Sequence, residues 1–76
     1  MNPTTFEESL RTLLRRQPFQ PFPVELINGQ TFTVDRPDAV SLGGGAAGFI
    51  AEDGEIYFFN SGNVRRLGNE FNGAPA

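Results

Sequence analysis

Apolar residues in the first part of the chain recur at helical spacing. Phe6, Leu10, Leu13 and Leu14 stand at i, i+4, i+7 and i+8, a single stripe at the 3.6-residue period. The pattern predicts an amphipathic helix over residues 4–16. Thr4 with Glu7, or Thr5 with Glu8, offers a capping box. Glu7 and Glu8 sit at the positive end and Arg11, Arg15 and Arg16 at the negative end, as the helix dipole favours. Pro18 stops the helix, because the residue before a proline is pushed out of the helical region. Prolines at 18, 21 and 23 then make an extended connector, with Phe19 and Phe22 placed to pin helix to sheet. A proline-rich ligand for an aromatic groove is the alternative reading of this stretch.

From Val24 the period changes to two. A hairpin turns at Asn28-Gly29, and its register follows from the strict alternation of side chains. Only a three-residue loop at 27–29 puts Val24, Leu26, Phe32 and Val34 on one face, with Val24 opposite Phe32. That loop implies a left-handed Gly29 in a bulged turn. Val40 and Leu42 mark a short strand after the Asp35–Asp38 turn, and Gly43 to Gly48 reads as a flexible loop. A second hairpin turns at Asp53-Gly54, where a two-residue loop pairs Phe49 with Phe58 and Ala51 with Ile56. Ile50, Tyr57 and Phe59 then share the opposite face, so both faces of that pair are apolar. Val64 to Leu67 is the last strand.

One helix followed by five short strands predicts an α+β domain: an N-terminal amphipathic helix on a five-stranded, strongly bent antiparallel small barrel. The domain is expected to span residues 1–67, with 68–76 a disordered tail in which Phe71 is the one candidate docking residue.

Composition narrows the chemistry. The chain has 76 residues, enough for one domain, and contains no cysteine and no histidine. All six basic residues are arginine, so lysine chemistry is absent as well. Ser9, Ser41, Ser61 and the threonines therefore have nothing to activate them except carboxylates, and an enzyme is not expected. Gly43, Gly45 and Gly48 satisfy a G-x-G-x-x-G spacing, but a strand follows where phosphate binding needs a helix. Glu52, Asp53 and Glu55 crowd one turn without the ligand spacing of a calcium loop. No cofactor and no metal are expected. No apolar run is long enough to span a membrane and the N-terminus lacks a signal layout, which together point to a cytoplasmic protein without a membrane partner.

Arg65 and Arg66, near Tyr57, Phe58 and Phe59, form the one basic-plus-aromatic cluster that could touch single-stranded nucleic acid. The net charge of −3 and a pI near 4.6 count against it. Leu13 to Val24, with its Gln-Pro-Phe-Gln-Pro-Phe run, and the hairpin after it resemble a set of short uncharacterised bacterial proteins of planctomycete type. That resemblance covers residues 6 to 37 and implies no activity. Val24, Leu26, Asn28, Gly29 and Phe32 also resemble the first motif of the Sm-like family, which includes the bacterial RNA chaperone Hfq. Phe59 to Leu67 resembles the second motif in its apolar positions, Asn63 and Arg65. Val34 stands where that family has a strand-bending glycine. The resemblance implies a ring-forming barrel, with Asn63 and Arg65 in the RNA-contacting loop.

Two functions are thus expected as alternatives. One is a non-enzymatic interaction or assembly module, a homo-oligomer joined through strand edges, with Tyr57, Phe59, Val64 and Leu67 at the interface. The other is an Sm-like RNA-binding ring using Asn63, Arg65 and Arg66. A short chain with a marginal core motivates the first, because its two-faced apolar strand would otherwise be an aggregation hazard.

Overall fold

A computed structural model describes residues 1–68 and 71–72. Helix α1 (Pro3–Leu14) leads into β1 (Phe22–Leu26) and β2 (Thr31–Val34). A 3-10 turn at Pro37–Ala39 precedes β3 (Val40–Gly43), β4 (Ala46–Ile50), β5 (Ile56–Asn60), β6 (Val64–Leu67) and the two-residue β7 (Phe71–Asn72). The strands form two antiparallel sheets, ordered β2-β1-β6-β7 and β3-β4-β5.

The five-stranded bent barrel is therefore not what the chain adopts. Among the described residues no ladder joins the two sheets, and neither closes on itself. A strand that served both sheets would need a bend near Val34, and the glycine that permits one is missing there. Instead β2 ends, and Pro37, which has no N–H to give a ladder, starts the 3-10 turn that carries the chain to the second sheet.

The helix keeps its expected stripe but starts and stops earlier than 4–16. Asn2 is the N-cap, its Oδ1 accepting the Thr5 N–H at 2.8 Å. Pro3 in the first turn suits a position whose N–H has no helical partner. The Thr4 and Thr5 capping boxes do not form. Phe6, Leu10 and Leu13 are buried, and each contributes about 1.5–3 kcal/mol through burial.

The first hairpin has the expected register. Val24 pairs with Phe32 and Phe22 with Val34, the Gly29 N–H donates to the Leu26 carbonyl at 3.0 Å, and Gly29 has φ +91°. On the other side β1 pairs with β6 through a bulge. Val24 faces Leu67, Glu25 faces Arg66, and Leu26 faces Val64, leaving Arg65 as the extra residue. That bulge lets Val64 and Leu67, three apart, both reach the core.

The glycine run 43–48 is a tight hairpin, not a flexible loop. Gly44 (φ +62°) and Gly45 (φ +77°) form its two-residue turn, and Ala46 begins β4. Two successive positive φ values are what a type I′ turn requires, and only a residue without Cβ adopts them cheaply. The turn docks on the start of α1. Gly45 donates its N–H to Glu7 Oε2 at 2.6 Å, and its carbonyl accepts the Ser61 N–H at 2.9 Å.

Gly68, expected to open a disordered tail, is buried and donates its N–H to the Pro23 carbonyl at 2.7 Å. Phe71–Asn72 then adds to β6. The rest of the expected tail, residues 69–70 and 73–76, lies outside the described residues.

A methyl group on Gly45 would lie 2.9 Å from Pro3 Cβ, on a backbone already in the left-handed region. Gly45→Ala is expected to cost about 2 kcal/mol, roughly 8–16 °C in Tm for a domain of this size. Gly43→Ala, which meets nothing within 4 Å, should be near neutral. Thermal melts of the two variants check this, and equal Tm values would contradict the docked turn.

Candidate interaction surface

The second hairpin decides which side chains face water. Its loop has three residues, like that of the first hairpin, and not two. The Gly54 N–H donates to the Ala51 carbonyl and the Ala51 N–H to the Glu55 carbonyl. Asp53 Oδ1 accepts the Glu55 N–H at 3.0 Å, as Asn28 Oδ1 accepts the Gln30 N–H at 2.9 Å. The expected pairing of Phe49 with Phe58 is thereby shifted by one residue. Phe49 pairs with Tyr57, Gly48 with Phe58, and Ala47 with Phe59.

A one-residue shift exchanges the two faces. Ala47, Phe49 and Phe59 turn into the core, with Tyr57 packed against it. Ile50, Ile56 and Phe58 turn out, with relative exposures of 53%, 53% and 74%. Across β3 to β5, the pairing sets Ser41, Gly48 and Phe58 in one row of this outer face. The outer face is therefore stepped. Small residues, Ala39, Ser41, Ala46 and Gly48, make its low part, while Ile50 of β4 and Ile56 and Phe58 of β5 make its raised part, with the Phe58 ring against Gly48.

The step encloses an open hollow of about 480 Å³. None of its described lining residues is charged, and Ser41 has the only polar side chain among them. At one end Arg36 Nη2 donates to the Ile50 carbonyl at 3.0 Å. Among the described residues the edge of β5 is open as well. Ile56 and Phe58 belong to the non-hydrogen-bonded pairs of the β4–β5 ladder, so their backbone groups point away from β4. The Asn60 N–H, pointing the same way, is taken by Asn63 Oδ1 at 2.8 Å.

The positions expected at an interface lie elsewhere. Phe59, Val64 and Leu67 are 1%, 4% and 0% exposed, and Tyr57 is half-buried with its ring stacked 4.5 Å from that of Phe32. Phe59, Val64 and Leu67 are committed inside the domain and Tyr57 packs against its core, because the register and the β6 bulge turn them toward the helix and the first sheet.

The residues expected to touch RNA do not converge on a binding loop. Asn63 holds its own turn: besides the bond to Asn60, its carbonyl accepts the Ile27 N–H at 2.9 Å. Asn60 Oδ1 in return accepts the Asn63 and Gly62 N–H groups. Arg65 is exposed on the bulge, and Arg66 faces Glu25 across the strands at 3.8 Å. Among the described residues no group of three or more carboxylates, histidines or cysteines could hold a metal ion. None of their helices is long and apolar enough to cross a membrane.

Comparison with known protein families, with curated proteins and with solved structures finds no match.

Sequence reasoning did not bring Ile50, Ile56, Phe58 and the small residues of β3 and β4 together on one outer face. The available signal was the shared Asx-Gly-x turn: giving Asp53-Gly54-Glu55 the loop assigned to Asn28-Gly29-Gln30 turns Phe58 outward.

Adjacent residues of β5 should therefore respond oppositely to truncation. Phe59→Ala is expected to cost about 3–5 kcal/mol, as for any fully buried phenylalanine. Phe58→Ala should cost less than about 1 kcal/mol, since its side chain is 74% exposed. Urea unfolding of both variants measures the difference, and a larger loss for Phe58→Ala would contradict the register.

Proposed function

We propose that this chain is a non-enzymatic interaction and assembly module that associates with itself through the outer face of β3-β4-β5. The observation that carries the reading is that three of its large exposed apolar side chains, Ile50, Ile56 and Phe58, share one uncharged face. A contiguous apolar patch on a small soluble domain marks an interaction site, and leaving it in water favours any contact that covers it. The absence of charge in the lining argues for an apolar partner over an ionic or nucleic-acid one. Absence of histidine, lysine and cysteine leaves the serines and threonines without a nitrogen or sulfur base, which supports a binding role over a catalytic one.

Sedimentation equilibrium across a wide concentration range tests this. The wild-type chain should show reversible association, and Phe58→Glu should abolish it while leaving Tm nearly unchanged, because the substituted side chain is already in water. A wild-type chain that stays monomeric at the highest soluble concentration overturns the proposal.

A further inference from the structure

We propose that Asn28 is a site of spontaneous amide loss, converting to aspartate or isoaspartate, and that the turn between β1 and β2 gates the reaction. Asn28 and Gly29 are both exposed, so water reaches the pair. Glycine suits the chemistry because it has no side chain to hinder the approach of its nitrogen to the neighbouring amide.

The Gly29 nitrogen, after giving its proton to water or hydroxide, attacks Asn28 Cγ. A new N–Cγ bond closes a succinimide ring, the Cγ–Nδ2 bond breaks, and ammonia leaves with a proton from water. Water then opens the ring at one of its two carbonyls. One opening leaves ordinary aspartate. The other leaves isoaspartate, in which the main chain runs through the side-chain carbon. One water is consumed and one ammonia released, with no oxidant or reductant.

The folded turn ties down both reacting groups. The Gly29 N–H, whose proton must be lost, donates to the Leu26 carbonyl at 3.0 Å. Asn28 Oδ1 accepts the Gln30 N–H at 2.9 Å, which holds the side chain that the nitrogen must reach. Two further bonds brace the loop. The Leu26 N–H donates to the Gln30 carbonyl at 2.8 Å, and the Ile27 N–H donates to the Asn63 carbonyl at 2.9 Å. The second of these anchors the turn to the connection between β5 and β6, remote in sequence. Ring closure takes the Gly29 N–H from Leu26 and turns the Asn28 side chain away from Gln30. The reaction therefore runs from the opened turn, and its rate reports how often that turn opens.

The two products have opposite consequences. The Asp53-Gly54-Glu55 turn shows what aspartate does in such a place. Asp53 Oδ1 accepts the Glu55 N–H at 3.0 Å and the Gly54 N–H donates to the Ala51 carbonyl at 3.0 Å, the same two bonds. Aspartate at position 28 thus keeps the turn and adds one negative charge to the net −3. Isoaspartate puts an extra carbon into the main chain of the loop, and the register of a hairpin depends on loop length. Pairing of β1 with β2 is therefore disturbed, and copies of the chain that have spent time open are marked irreversibly.

Peptide mapping by mass spectrometry tests this, with Asn28 resolved from Asn72-Gly73, whose glycine lies outside the described residues. The chain is aged at one mildly alkaline pH, folded in buffer and unfolded in urea, and isoaspartate is scored by enzymatic methylation. In urea, Asn28 is expected to show the mass gain of amide-to-acid exchange, with isoaspartate accumulating. In buffer the same conversion should be slower by about tenfold or more, because several hydrogen bonds must open first. The Asn28→Asp variant should melt together with the wild-type chain. A folded chain that converts as fast as the unfolded one overturns the gating, and an unfolded chain that does not convert at Asn28 overturns the site. An Asn28→Asp variant that melts well below wild type overturns the fit of aspartate to the turn.

Discussion

The stacking of Phe32 on the second sheet is the contact on which the rest of this fold depends. Phe32 comes from β2, and its ring lies nearly parallel to Tyr57 at 4.5 Å and to Phe49 at 6.2 Å. It also meets the edge of Phe59 at 5.4 Å, and Phe59 in turn meets Phe6 of the helix at 5.8 Å. Aromatic pairs at such distances add about 0.5–1.5 kcal/mol each beyond the area they bury. Because no backbone ladder among the described residues links the two sheets, these rings are the main bridge between them. A chain of 76 residues with no disulfide depends on dense contacts of this kind.

The same contact shapes the surface. Phe49, Tyr57 and Phe59 can all reach Phe32 only if β4 and β5 pair in the observed register. Side-chain alternation then leaves Ile50, Ile56 and Phe58 no direction but outward. Burying one set of aromatics thus exposes another apolar set, and the apolar outer face follows from the core. The glycine turn at 44–45 contributes by holding this sheet to the helix start, through the Gly45 N–H donated to Glu7 Oε2.

How legible each part was depended on whether a local pattern carried the answer. The helical stripe and the first hairpin were legible, because polar residues alternate with apolar ones and only one register gives a single apolar face. The Ile56–Phe59 segment has no polar residue to break the tie, so alternation leaves its register open; the hydrogen bonds of the Asp53-Gly54-Glu55 turn and the stacking on Phe32, remote in sequence, decide it. Gly43–Gly48 read as a loop because glycine lacks a side-chain pattern, although glycines at 44 and 45 are what the tight turn requires. Closure into a barrel was inferred from the number and size of strands, but closure depends on strand bending, and neither Val34 nor Pro37 supports it. The apolar outer face was hidden by the same missing register.

The β4–β5 register that lets Phe49, Tyr57 and Phe59 meet Phe32 is also the one that turns Ile50, Ile56 and Phe58 outward. Cross-strand Hα–Hα contacts measured by NMR test this most directly, since residues in non-hydrogen-bonded antiparallel pairs bring their Cα atoms to about 4.5 Å. Contacts between Gly48 and Phe58 and between Ile50 and Ile56 are expected in the wild-type chain. Contacts between Phe49 and Phe58 would place Phe58 in the core, and would contradict both the register and the surface derived from it.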